Sequence, residues 1–354
     1  MTALRYDYFK KKHIFVGGHK KQKTVTDMKL VILDAYTANP GDISWDAIKA
    51  LTDAQGNRLN VEIYERTTPE EMLSRATDAE LLLTNKVQLT DEIMSRLPCL
   101  KYIGVLATGY NVVDIQAASQ RGIIVTNIPA YSTASVVQMA MAHLLNITQM
   151  VALHSEQVKE GKWQNNSDFC FWETPLIELQ GQTMGIVGLG NTGMATARIA
   201  QSMGMKVMAW TRKTTEELAT INISKADTLE QLFSQADVLS LHCPLTPDTH
   251  HLVNANRLSL MKPTAILINT GRGPLINEQD LADALNQGRI YAAGLDVLEQ
   301  EPPRNGSPLI GARNCHITPH IAWATQQARK RLIQIAAENL QAFIMGKPMN
   351  CVNI

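Results

Sequence analysis

Short apolar runs separated by amphipathic stretches set the pattern of this chain from residue 28 onward. Leu30–Leu33, Val61–Tyr64, Leu81–Leu83, Tyr102–Leu106 and Ile123–Thr126 have strand length, with apolar residues at nearly every position. A strand with one wet face alternates polar and apolar residues, whereas a continuous apolar run predicts burial on both faces. The pattern therefore predicts a parallel sheet covered by helices on either side. The intervening stretches carry matching helix starts. Thr68-Pro69-Glu70-Glu71 reads as a capping box with proline at the first helical position, and Thr90-Asp91-Glu92 opens another helix. A long helix is expected from Ser132 to Lys159, ending at Gly161.

The alternation restarts at Thr183-Met-Gly-Ile-Val-Gly188. Further strands are expected at Lys206–Trp210, Val238–His242, Ala265–Asn269, Ala292–Val297 and His316–Thr318. Leu332, Ile335, Ala336, Leu340 and Phe343 recur at helical spacing and predict one helix over Thr325–Gly346. The chain, at 354 residues, exceeds what one hydrophobic core organises. The expected class is α/β, with two doubly wound parallel-sheet domains, one Rossmann-type and one flavodoxin-like, and a cleft between them.

Composition narrows the setting. The chain is 45% hydrophobic and 19% charged, and no apolar run approaches the eighteen or so residues of a membrane span. No secretory h-region is visible near the N-terminus. Five scattered cysteines without a CxxC pair suggest reduced thiols in a cytoplasmic protein, with neither metal site nor disulfide. Net charge is zero but uneven, since residues 1–27 hold seven Lys/Arg and two Asp. We read that stretch as a solvated, disordered extension, dispensable for catalysis, and not as a nucleic-acid site. Met28, directly before the first strand, is a candidate start.

Gly188-Leu-Gly190-Asn191-Thr192-Gly193 is a G-x-G-x-x-G that closes a strand and opens a helix. That context makes it a dinucleotide-binding turn. The first glycine makes the turn, the second admits the pyrophosphate to the backbone, and the third allows close helix–strand packing. The helix N-terminus faces the anion. An NAD site usually carries an acid about twenty residues on, to hold the ribose 2′-OH. Here the strand Lys206–Trp210 ends in Thr211-Arg212-Lys213, so cations stand where a 2′-phosphate would sit. NADP is favoured, with NAD as the alternative.

Three later strands end in reactive residues. Ile266–Asn269 leads through Thr270 to Arg272, Gly294-Leu295-Asp296 leads to Glu301, and Ile317-Thr318-Pro319 leads to His320. Ligands of open parallel sheets bind at the carboxyl ends of strands, so all three belong on the cofactor's rim. Hydride reduction of a 2-keto acid needs a cation for the carboxylate and a proton donor for the carbonyl oxygen. Arginine stays charged and is bidentate, and histidine can give the proton. A neighbouring carboxylate such as Glu301 would orient the ring and favour its charged form.

With those residues in view, the chain from Met28 onward resembles the D-isomer-specific 2-hydroxyacid dehydrogenases. The resemblance rests on Ala236-Asp-Val-Leu-Ser-Leu-His242-Cys243-Pro244, Asn269-Thr-Gly-Arg272-Gly-Pro-Leu-Ile-Asn277 and Pro319-His320-Ile-Ala-Trp323, together with the glycine loop. Asn39-Pro-Gly-Asp42, Gly109-Tyr-Asn-Val-Val-Asp114 and Pro129-Ala-Tyr-Ser132 are most similar to the glycerate dehydrogenase (hydroxypyruvate reductase) branch.

The resemblance implies roles. Arg272 would bind substrate, His320 would be the acid/base, and Glu301 its partner. The backbone of Ala107-Thr108-Gly109 would receive the substrate carboxylate. Asp296 would lie by the nicotinamide carboxamide, with Thr270 in the cofactor site and His242-Cys243-Pro244 along the adenosine end. It further implies a substrate domain of residues 28–126 plus 320–354, a nucleotide domain of residues 127–319, and a homodimer acting on a small 2-keto or 2-hydroxy acid. Glyoxylate and 2-ketogluconate reductases share the same site chemistry. A different class, the nucleotide-sensing corepressors, shares the fold, and the lack of a long tail beyond residue 346 speaks against it. The missing acid at Thr211 and the basic extension depart from the family pattern.

Overall fold

The computed structural model describes residues 28–353, so the basic extension and its expected disorder lie outside the described residues. Two parallel sheets form. The first contains β1 (Lys29–Ile32), β2 (Asn60–Ile63), β3 (Leu81–Thr84), β4 (Tyr102–Val105) and β5 (Ile124–Thr126), in the order β2-β1-β3-β4-β5. The second contains β6 (Thr183–Val187), β7 (Lys206–Trp210), β8 (Ser224–Lys225), β9 (Val238–Leu241), β10 (Ile266–Asn269), β11 (Ala292–Leu295) and β12 (Cys315–Ile317). Its order is β12-β11-β10-β9-β6-β7-β8, so the chain reverses direction across the sheet between β6 and β9. That switch point opens a crevice at the strands' carboxyl ends.

The apolar runs behave as their composition demands. Every residue of β3, β4, β9, β10 and β11 is buried. Thr68 and Glu71 cap the helix Pro69–Ala76 reciprocally, and Thr90 Oγ1 accepts from Ile93 N at the next helix start. The two-residue β8 was too short to show in the hydrophobic pattern.

One expectation fails locally. The segment Ser132–Lys159 is two helices, Thr133–Gln149 and Val151–Lys159, bent by 54° at Met150. Met150 adopts φ 48°, ψ 39°, a left-handed conformation that ends a helix. The first helix buries Val137, Leu144 and Ile147 under the second sheet, whereas the second buries none of its residues. Burial holds the first half to the sheet and nothing comparable constrains the second. Among the described residues no single helix is long and apolar enough to cross a membrane.

The C-terminal helix Gln326–Ile344 returns to the first sheet. Its Leu332, Ile333 and Leu340 bury within the core of β1, β3 and β4, at roughly 1.5–3 kcal/mol for each fully buried side chain. Arg329, only 7% exposed, grips Asp42 through two hydrogen bonds of 2.6 Å. Asn339 and Val352 donate to the carbonyls of Asn127 and Val125. The chain thus crosses from one sheet to the other and back, and both crossings pass the cleft.

Candidate active site

The glycine loop has the geometry its spacing requires. A β-carbon on Gly193 would lie 2.1 Å from the Gly188 carbonyl oxygen, and one on Gly188 would lie 2.8 Å from the Cys243 backbone. Gly188 also sits at φ +90°, where an L side chain is strained. Gly190 instead faces open space, which leaves the N-terminus of the helix Asn191–Ser202 accessible and without a side-chain cap. A pyrophosphate fits such a cradle. The Thr270 hydroxyl points the same way chemically, being buried beside the cleft with no partner among the described residues.

Around this turn lie the flanking strand ends. Gly188 N donates to Trp210 O, which places Thr211-Arg212-Lys213 directly beside the loop. Neither Arg212 nor Lys213 forms an ion pair among the described residues, and the Lys213 N–H donates to Thr211 Oγ1 at 3.3 Å. His242, at the end of β9, shares a hydrogen bond of 2.9 Å with Ser240 Oγ. Burial pulls its pKa down to about 4, so the ring is neutral at pH 7. Burial likewise pushes the Cys243 thiol up to about 11, which leaves it unreactive.

A cavity of about 380 Å³ lies between the sheets, and Arg272, Glu301 and His320 all line it. His320 Nδ1 is 2.5 Å from Glu301 Oε2, and Glu301 Oε1 accepts from Leu298 N at 2.9 Å. Burial alone would raise the Glu301 pKa, but the bond and charge of His320, the Leu298 N–H and the nearby Lys86 outweigh it. The net shift is downward, which keeps Glu301 anionic. With Nδ1 committed to Glu301, the other ring nitrogen, Nε2, remains for a ligand.

His320 holds an unusual backbone, at φ 53°. Asp296, fully buried, explains how. Its carboxylate accepts from Thr318 Oγ1, Ile321 N and Ala322 N at 2.6, 2.9 and 2.8 Å, while the His320 N–H donates to the Asp296 carbonyl. A buried carboxylate satisfied by three donors clamps the turn that presents the histidine. Asp296 lines the cavity, and its bonding is spent on that turn.

Across the cavity, the segment after β4 presents three N–H groups. Those of Ala107, Thr108 and Gly109 have no partner among the described residues, whereas the carbonyls of Ala107 and Thr108 accept from Ile128 N and Asn127 Nδ2. Successive unpaired N–H groups form an anion-binding concavity. Arg272 closes it, because a β-carbon on Gly109 would lie only 2.7 Å from Arg272 Nη2. Among the described residues the guanidinium has no carboxylate partner and bonds only the Gly271 carbonyl. Cation, free N–H groups and a carboxylate-bound imidazole thus face one volume, which suits a small acid with a carbonyl or hydroxyl beside its carboxylate.

Residues 141–322 match the model of the D-isomer specific 2-hydroxyacid dehydrogenase NAD-binding domain. The chain belongs to the D-isomer-specific 2-hydroxyacid dehydrogenase family. It is 49% identical over 329 residues to a hydroxypyruvate reductase of Blautia hydrogenotrophica, covering 92% of this chain and all of that protein. It is 39% identical over 292 residues to a glycerate dehydrogenase of Methylorubrum extorquens, covering 82% and 90%. In structure it is similar to an NADPH-dependent glyoxylate/hydroxypyruvate reductase from Sinorhizobium meliloti bound to NADP and malonate. That match has a TM-score of 0.74 at 28% identity and covers 92% of this chain and 96% of that one. The chain is thus an NAD(P)-dependent oxidoreductase acting on 2-hydroxy acids.

Two further residues of this dehydrogenase belong to the cavity or its support without standing out in the sequence. Lys86 lines the catalytic cavity from the end of β3, a position the strand-end rule applied to Arg272 would also have flagged. His143, on the helix Thr133–Gln149, bonds Thr318 Oγ1 through Nε2 at 3.0 Å and so braces the Asp296 clamp. Nothing in the sequence linked it to a residue 175 positions away.

Proposed function

We propose that this dehydrogenase interconverts hydroxypyruvate and D-glycerate, with NADP(H) as its preferred cofactor. The observation that carries the reading is the single cavity shared by Arg272, the Glu301–His320 pair and the free N–H groups of Ala107–Gly109. The names of the two curated relatives support the choice of acid.

In this reading the carboxylate sits between the three N–H groups and the Arg272 fork, which fixes both its oxygens. A nicotinamide bound there would supply the hydride for C2 in reduction and receive it in oxidation. The glycine loop and the helix N-terminus at Asn191 hold the pyrophosphate, with Thr192 in the first turn. Thr270 Oγ1 would find its partner on the cofactor, and Pro244 would flank the adenosine end beside His242 and Cys243. His320 Nε2 gives its proton to the carbonyl oxygen as C2 accepts hydride. Glu301 holds the tautomer and faces the charged ring. Asp296 supports the turn beside the nicotinamide site. Arg212 and Lys213, unpaired beside the loop, supply the charge a 2′-phosphate seeks, and Thr211 offers no carboxylate to repel it.

We further read residues 28–126 with 320–354 as the substrate domain and 127–319 as the nucleotide domain. The cytoplasm is the expected setting, supported by five free cysteines. A homodimer is supported by the arm after Met150, where Val151, Trp163, Phe169, Trp172 and Leu176 are exposed. Oxidation of NADPH and NADH measured against hydroxypyruvate, glyoxylate, pyruvate and 2-ketogluconate tests the functional reading. The highest kcat/KM belongs to hydroxypyruvate with NADPH. A clear preference for another acid, or for NADH, refutes the corresponding half.

A further inference from the structure

Lys86 adds its charge to the surroundings of Glu301, but the reaction as described gives it no contact with substrate or cofactor. It stands two residues past β3, in register with Ala107 two residues past β4, because Thr84 pairs with Val105. Neighbouring strands run about 4.8 Å apart, so the lysine and the anion-binding segment are side by side on one rim. The backbone beneath it is fixed, since Asp34 accepts from the N–H groups of Asn85, Lys86 and Val87 at 2.7, 2.5 and 3.2 Å. Those bonds occupy the Asp34 carboxylate, and Glu301 is committed to His320 and Leu298. Lys86 is therefore left without an ion pair among the described residues. Lys86 is exposed at the rim, yet the protein packed around its ammonium lowers its pKa below the ordinary lysine value and Arg272 adds to that, against the opposing pull of Glu301 and Asp34. The site gains if an electron-rich ligand atom reaches it.

Its position says which atom. Arg272 and the N–H groups take the carboxylate, and His320 takes the C2 oxygen. What remains of a three-carbon acid is its third carbon. Lys86 is also the residue that lines both this cavity and a second one of about 650 Å³, at the carboxyl ends of β1 and β3. It thus forms part of the wall between the two cavities.

We propose that Lys86 is a specificity determinant that selects 2-keto acids carrying an oxygen on carbon 3, through a hydrogen bond from Nζ to that oxygen. The inference rests on the hydroxypyruvate reading above and deepens it. Pyruvate has only a methyl group there and glyoxylate has no third carbon, so neither uses the contact.

The test is the ratio of kcat/KM for hydroxypyruvate to that for glyoxylate, in wild type and in Lys86→Met, which keeps the length and removes the charge. A hydrogen bond to a charged donor is worth about 10- to 100-fold, and the ratio falls by that amount in the variant. Lys86→Arg recovers part of it. Glyoxylate turnover reports on folding in the same samples. A wild type that prefers hydroxypyruvate, with the ratio unchanged in Lys86→Met, overturns this inference and leaves the functional reading intact. Equal loss on both substrates with an altered pH profile also overturns it, because Lys86 would then act through Glu301. A wild type that reduces glyoxylate but not hydroxypyruvate ends the functional reading first, and this inference with it.

Discussion

Gly109→Ala asks whether the Arg272 guanidinium must stand where it does. Gly109 does not use a glycine-only backbone angle, so alanine adds a methyl group without backbone strain. That methyl carbon would lie 2.7 Å from Arg272 Nη2, against 3.4 Å or more in an ordinary contact. The flexible guanidinium is the group that yields, and it must move by roughly 0.7 Å or more, a displacement of the kind that costs about 100-fold in a positioned site. Losing one arm of a charge-assisted fork gives a similar figure, about 1.5–3 kcal/mol or 10- to 100-fold in kcat/KM. The loss falls mainly on KM for the keto acid, because carboxylate binding suffers while the Glu301–His320 pair is untouched. Cofactor absorbance at varied hydroxypyruvate gives both constants, and a melting curve confirms an intact fold. Arg272→Lys gives a comparable defect by itself, and the double variant loses less than the product of the two, because both act on one contact. If Gly109→Ala keeps wild-type KM and kcat, Arg272 is not the carboxylate anchor and the geometric argument fails.

Other perturbations address the remaining assignments. Replacing His320 with Gln cuts turnover by roughly 10²- to 10⁴-fold, the range of general acid–base catalysis, while NADPH affinity measured by fluorescence stays near normal; an active variant would remove His320 from the proton path. The double change Thr211→Asp, Arg212→Ala reverses cofactor preference, and an unaltered NADPH/NADH ratio of kcat/KM would show that Arg212 points away from the ribose. Asp42→Asn tests the anchor of the C-terminal helix through pH. The Arg329 hydrogen bonds hold the Asp42 carboxyl at about 2, below its ordinary 3.8, so its stabilisation is complete above the ordinary value and vanishes as pH falls through about 2. The variant therefore melts below wild type at pH 7, and the two curves converge in strong acid. A difference that persists at low pH would mean that the charge is not what matters.

Where a property depends on neighbours in the chain, the amino-acid order alone determined it. Strand positions, the capping box at Thr68 and the glycine loop at Gly188 follow from periodicity and backbone sterics over a few residues, and each appears where its residues place it. The reactive trio was legible for a related reason. Parallel strands all end on one edge, so Arg272, Glu301 and His320 had to share a rim once their strands were assigned. What the order could not determine is how far the long helix runs and which groups lie across the cleft. The 54° bend at Met150 arises because the sheet captures one half of that segment through Val137, Leu144 and Ile147 and leaves the other uncaptured. Lys86 comes from the other sheet, 234 residues from His320 in sequence, and only the packing of the two sheets across the cavity brings them together. The same holds for the Asp296 clamp and its brace at His143. Burial strips these groups of water, and each must then find its hydrogen bond wherever the fold supplies one, near in space and distant in the chain.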